Sequence, residues 1–171
     1  MSNIVVTYFE PFGGRTTNAS KEVVSLLSGY NTKELPVSWS KIPFALDEIF
    51  INEPDYLFLV GEAGSYKEIS MEKIAHNICN GKDNEDVNKD NEPIIVGDKE
   101  CKTTLFDLSK LPYRLSDNAG KYLCNYSYYL ALSKSKKTKV LFIHVPYIDS
   151  LMNNVNSVKE QLEQIIKTLA G

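Results

Sequence analysis

Histidine is scarce in this chain: His76 and His144 are the two present among 171 residues. Any chemistry that needs an imidazole must use one of them. Cysteine is nearly as scarce. Cys79, Cys101 and Cys124 are too few and too irregularly spaced for a disulfide framework, so a reduced, cytoplasmic protein is expected. Excess positive charge is lacking too, and a formal net charge of −3 offers no basic surface for nucleic acid or an anionic membrane. No apolar run approaches the ~18 residues of a membrane span, and no basic-then-apolar leader is recognisable. Neither a repeat nor a linker interrupts the chain, so residues 1–171 are expected to form a single domain large enough to bury a core. Nucleotide motifs are incomplete. Gly61-Glu62-Ala63-Gly64 lacks the full dinucleotide fingerprint, and Phe12-Gly13-Gly14-Arg15 has no lysine in the Walker position. His76 and Cys79 fit no standard zinc spacing. No metal or organic cofactor is expected.

What is present is an alternation of apolar strands and amphipathic helices. Asn3–Thr7 and Val140–Val145 are short β-branched or apolar runs, and Asp55–Val60 is nearly continuous apolar, as in a strand covered on both faces. Tyr8–Gly14 and Gly61–Ser65 are expected to be loops, because glycine and proline end regular structure there. A helix is expected from Asn18 or Ser20 to Gly29, with Val23, Val24, Leu26 and Leu27 inward. A second begins near Pro43 and buries Ala45, Leu46, Ile49 and Phe50. Pro36–Trp39 reads as an edge strand. Over Ile69–Ile78 the alternation of Ile69 and Met71 with polar residues favours strand over helix. Asn80–Glu92, crowded with Asn, Asp, Lys and Glu, reads as a long polar loop. Pro93–Val96 and Thr103–Phe106 read as short strands or turns. The last helix starts near Asn156 and turns Val158, Leu162, Ile165, Ile166 and Leu169 inward. Together these imply an α/β three-layer sandwich, a mostly parallel twisted sheet with helices on both faces.

The stretch Ser116–Tyr129 carries the chemical interest. It opens with capping residues and a glycine, and Ala119, Tyr122, Leu123, Tyr126 and Leu130 have a spacing that describes one helix face. Cys124 falls in the first two turns and off that stripe. It is either a small buried hydrophobe or a thiol whose thiolate is favoured by the helix N-terminus. In parallel sheets functional groups gather beyond the carboxyl ends of strands, where His144 also falls, either as a base or as a hydrogen-bonded core histidine. Glu72, between apolar Met71 and Ile74, is a solvent-facing carboxylate or a buried one relieved by a histidine partner.

Four separated motifs, covering most of the chain, resemble pyroglutamyl peptidase I, also called pyrrolidone-carboxylate peptidase, a cysteine exopeptidase family. They are F-E-P-F-G-G at Phe9–Gly14 followed by T-T-N at Thr16–Asn18; G-E-A-G at Gly61–Gly64 with I-S-M-E-K-I-A-H-N at Ile69–Asn77; A-G-K-Y-L-C-N at Ala119–Asn125; and F-I-H-V-P-Y at Phe142–Tyr147. The resemblance implies a Cys124–His144–Glu72 triad and hydrolysis, through an acyl-enzyme, of the amide after an N-terminal pyroglutamyl residue. It implies that Phe9 and Phe12 flank the lactam, that Asn18 and Glu62 supply polar contacts, and that no cofactor is needed. Peptides with N-terminal pyroglutamate are the implied partners, and a homo-oligomer is compatible with it.

The chain departs from the family pattern at Tyr8, Ala19, Glu62 and Ser65-Tyr66. Glutamine is common in the family where Glu62 stands, and a glycine–arginine pair where Ser65-Tyr66 stands. The family's arginine after the glutamate segment has no clear counterpart in Asn77–Asn84, where Lys82 is the nearest cation. The connections before Pro36 and between Leu105 and Ser116 are short. An ionised Glu62 accepts a hydrogen bond but cannot donate one, which bears on lactam binding. Two rivals remain at this level: a thiol hydrolase of another small cyclic or blocked amide, and a non-catalytic binding protein of the same fold.

Overall fold

A computed structural model describes residues 1–149 and 154–171. In chain order its elements are β1 (Ile4–Phe9), α1 (Ala19–Val24), β2 (Asn31–Leu35), α2 (Ile42–Ile51), β3 (Tyr56–Ala63), β4 (Ser70–Glu72), β5 (Ile74–His76), β6 (Cys79–Lys82), β7 (Asn88–Glu92), β8 (Cys101–Thr103), β9 (Arg114–Ser116), α3 (Leu123–Lys134), β10 (Lys139–Pro146) and α4 (Val155–Ala170). Six strands form one sheet in the order β2-β1-β3-β10-β4-β9. All its pairings are parallel except β10 with β4.

Strand alternation divides the core into two layers. Leu57, Leu59, Val140 and Phe142 face one side, where α2 and α3 contribute Leu46, Leu123, Tyr128 and Tyr129. Phe58, Val60, Leu141, Ile143 and Val145 face the other, against Val23 and Val24 of α1 and Leu162, Ile165 and Ile166 of α4. The expected three-layer α/β sandwich is therefore the observed one. Helix α4 follows the predicted apolar spacing closely, since a helix lying on a sheet buries one stripe. None of the described helices is long and apolar enough to cross a membrane.

Several boundaries differ from the sequence reading. Strand β3 runs on through Gly61 to Ala63, and β1 through Tyr8 and Phe9, because ladder pairing with β10 and β2 continues past the apolar run. The edge strand is Asn31–Leu35 rather than Pro36–Trp39. It is mostly exposed, so it carries no apolar alternation, and a proline has no N–H for the ladder. Helix α1 stops at Val24, well short of Gly29, leaving Leu26 exposed. Helix α3 starts at Leu123. Ser116 belongs to β9, and the turn between them uses Gly120 at φ +84°, a left-handed conformation that suits glycine. The most buried face is not the predicted stripe: Asn125, Ser127, Tyr128, Tyr129 and Ala131 join Leu123 inside, while Tyr126 and Leu130 are half-buried. Asn125 is buried because it is a connector. Its side chain accepts from His76 N–H at 2.9 Å and donates to His76 and Ile78 carbonyls at 2.8 and 3.0 Å.

The largest difference lies in Asn80–Glu92, expected as a polar loop. It folds instead as a hairpin of β6 and β7. A polar sequence can do this because the order comes from hydrogen bonds rather than apolar burial. Buried Asp83 accepts from the backbone N–H groups of Trp39, Glu85 and Val87 at 2.8, 2.9 and 2.9 Å. The Trp39 indole N–H points at the Gly81 and Val87 carbonyls, each 3.2 Å away. Asp83→Ala strands these backbone donors, and each buried, unpaired donor costs roughly 1–3 kcal/mol. The variant is expected to melt several degrees lower and to be nicked faster by protease between β6 and β7. An unchanged melting temperature would show that the hairpin does not depend on Asp83.

Candidate active site

The carboxyl ends of β1, β3 and β10 lie side by side, and each delivers one predicted residue: Phe9 at the end of β1, Glu62 near the end of β3 and His144 in β10. His144 is in register with Gly61 on one side and Ser70 on the other. Glu72 of β4 sits opposite Phe142, two residues before His144, so its carboxylate lies diagonally across the ladder from the imidazole. The His144 Nδ1 to Glu72 Oε1 distance is 2.7 Å. A carboxylate only accepts, so Nδ1 carries the proton and Nε2 is left as the basic nitrogen. Glu72 has no exposed surface, and among the described residues its Oε2 has no hydrogen-bond partner.

Cys124 is the second residue of α3. Its sulfur is packed against β3 at Gly61: a Cβ added there would lie 2.7 Å from Sγ and 2.7 Å from Phe142 Cζ. Glycine is thus required for sterics, not for its φ angle, and the sulfur lies against the residue that is in register with His144. The helix start was expected to favour the thiolate. In the fold other influences oppose it. Burial, then the negative charges of Glu72 and Glu62, push the Cys124 thiol up to about 12. All three favour the neutral thiol.

These residues open onto a cavity of about 340 Å³ lined by Phe9, Phe12, Asn18, Glu62, Tyr122, Leu123, Cys124 and His144, among others. Such a volume suits a small ligand. Phe9 is buried, Phe12 is partly buried, and Tyr122 stands 6.1 Å from Phe12 between ring centres. Asn18 is the N-cap of α1: its Oδ1 accepts from Ser20 N–H at 2.9 Å and from the Ser20 hydroxyl at 2.6 Å. Glu62 lines the cavity with its carboxylate already engaged. Oε2 accepts from Ala19 N–H at 2.7 Å and from Arg15 Nη2 at 3.2 Å, and Oε1 accepts from Arg15 Nη1. Among the described residues no group of three or more His, Cys, Asp or Glu side chains is placed to hold a metal.

All seven predicted site residues are brought together, six on the cavity wall and Glu72 behind His144. Sequence reasoning missed three others. Gly61 was taken for a loop residue; its role appears only once α3 lies over β3. Tyr66, noted only as a departure, stands edge-on to the His144 ring at 5.5 Å, and its hydroxyl is 3.2 Å from Glu72 Oε1 and 3.1 Å from the Asn118 carbonyl. The Arg114 guanidinium covers the Tyr66 ring at 4.2 Å. Arg15 had no signal beyond its place after two glycines. Lys82, the nearest cation by sequence, pairs with Asp86 at 2.9 Å on the surface.

A family model described as pyroglutamyl peptidase matches residues 2–169. The chain is 34% identical over 190 residues to the pyrrolidone-carboxylate peptidase of Fusobacterium nucleatum, covering 98% of this chain and 89% of that one. It is 34% identical to that of Thermosipho africanus, with 97% and 92% covered. Among solved structures it is similar to pyrrolidone carboxyl peptidase from Thermus thermophilus, with TM-score 0.88, 26% identity, and 97% and 100% of the two chains covered. A mutant of the Pyrococcus furiosus enzyme superposes with TM-score 0.86 at 28% identity, with 98% and 97% covered.

Two outcomes follow from this geometry. Gly61→Ala forces Cys124 or Phe142 to move, so iodoacetamide should label Cys124 at an altered rate and the protein should lose roughly 1–3 kcal/mol of stability. An unchanged rate and melting point would mean that the contact is slack. The raised thiol also has a sign. Above about pH 9, the ordinary thiol value, the unfolded chain loses this proton while the folded chain keeps it until about pH 12. The folded state then binds more protons, so stability falls as pH rises through that window. Denaturation midpoints of wild type should fall more steeply there than those of Cys124→Ser, and parallel curves would contradict the shift.

Proposed function

The chain belongs to the pyroglutamyl peptidase family, and on that premise we propose that it hydrolyses the amide bond after an N-terminal pyroglutamyl residue, with Cys124 as nucleophile, His144 as base and acid, and Glu72 as orienter. The observation that carries this reading is the buried 2.7 Å His144–Glu72 hydrogen bond beside a sulfur pressed against the residue in register with His144. As a carbonyl carbon approaches, the Cys124 proton passes to His144 Nε2 while the C–S bond forms. Because the resting thiol is neutral, this transfer accompanies attack. The imidazolium that results is stabilised by Glu72, whose charge was unfavourable to a lone thiolate.

The oxyanion forms at the start of α3, where the first N–H groups have no intrahelical partner. Collapse breaks the C–N bond and His144 protonates the leaving amine. Water, deprotonated by His144, then attacks the thioester and releases pyroglutamate. Phe9 and Phe12 supply apolar walls for a flat lactam, and Asn18 and Glu62 bound its polar side.

Kinetics with a chromogenic pyroglutamyl amide and the matching prolyl amide test this. Wild type should cleave the first and not the second, which lacks the lactam carbonyl. Cys124→Ala should abolish turnover, Cys79→Ser and Cys101→Ser should keep it, and Glu72→Gln should cost about 10²- to 10⁴-fold in kcat, by analogy with loss of a triad orienter. Equal use of the prolyl amide would favour another small-amide hydrolase. An unreactive Cys124 with no turnover would favour a binding protein.

A further inference from the structure

We infer that Arg15 and Glu62 form a clamp at the cavity mouth that holds Phe12 as one wall of the substrate pocket and so sets substrate affinity. This deepens the pyroglutamyl reading and rests on it. Glu62 has a side chain only 3% exposed, and a carboxylate at such burial is almost always paired. Arg15 meets it with both terminal nitrogens, a fork geometry that lysine cannot reproduce. The same guanidinium lies 5.9 Å from the Phe12 ring centre and 5.0 Å from that of Tyr147.

The loop being held has little rigidity of its own. Between Phe12 and Arg15 stand Gly13 and Gly14, at φ +63° and +73°, and nothing lies within 4 Å of where their Cβ atoms would be. One backbone bond, Arg15 N–H to the Phe12 carbonyl at 3.2 Å, closes the turn. Arg15 therefore ties three chain segments together: the Phe12 loop, the end of β3 through Glu62, and Tyr147, which follows β10. Through Ala19 N–H the same carboxylate also fixes the start of α1. The clamp has an electrostatic side, because Glu62 is one of the two anions acting on Cys124. Arg15 offsets that charge.

The test compares wild type, Arg15→Met, Glu62→Gln and the double variant. Two readouts are taken: steady-state hydrolysis of a chromogenic pyroglutamyl amide, and the rate of Cys124 labelling by iodoacetamide. Arg15→Met should raise KM on the order of tenfold, with a smaller change in kcat, as the loss of the guanidinium–ring contacts frees Phe12. It should also slow labelling, because the Glu62 charge is left uncompensated. Glu62→Gln should label faster than wild type, because a charge acting on Cys124 is removed, and should raise KM in the same direction as Arg15→Met, because one acceptor oxygen of the fork becomes an amide that donates toward Arg15. The double variant should combine the KM of Arg15→Met with the labelling rate of Glu62→Gln. Should Arg15→Met not fold, the double variant, which holds no uncompensated charge, carries the KM comparison. Unchanged KM in both variants lacking Arg15 would overturn the clamp. Absence of wild-type turnover would instead overturn the pyroglutamyl reading; faster amide hydrogen exchange over Phe12–Arg15 in Arg15→Met would then still support the clamp, and unchanged exchange would overturn it.

Discussion

A single buried hydrogen bond organises this protein: His144 Nδ1 to Glu72 Oε1. A carboxylate with no exposed surface is costly unless its partners are fixed. The fold fixes this one by making its strand part of the main sheet. β4 joins β10 antiparallel, which is the one reversed pairing in that sheet, and so brings Glu72 diagonally under the imidazole. Tyr128, from the helix that carries Cys124, donates to the Glu72 carbonyl at 2.8 Å, so thiol helix and carboxylate strand are tied directly.

Placing the thiol imposes a second requirement. Helix α3 must approach β3 closely enough for Sγ to meet the strand backbone, which only a glycine at position 61 permits. The approach removes water from the sulfur and exposes it to the charges of Glu72 and Glu62, and both effects hold the proton on. The helix start acts in the opposite direction.

Glu62 illustrates how neighbours change what a charge means. By sequence, an ionised carboxylate at this position accepts a hydrogen bond but cannot donate one. In the fold, the carboxylate is matched by the Arg15 fork and the Ala19 N–H, so the charge is compensated within the wall.

The sequence by itself determined the sandwich, because apolar runs of strand length alternating with helical stripes admit few other packings, and β3, β10, α2 and α4 were legible for that reason. Through four motifs in order it also named seven candidate site positions, which the fold gathers around one cavity. It did not reveal the β6–β7 hairpin, whose polar strands are held by Asp83 and Trp39 rather than by apolar alternation, nor the start of α3, which depends on a left-handed Gly120. Tertiary structure alone decided the roles of Gly61, Tyr66 and Arg15, and the protonation of Cys124. Each depends on what another part of the chain brings within a few ångströms, and local pattern carries no record of such distances.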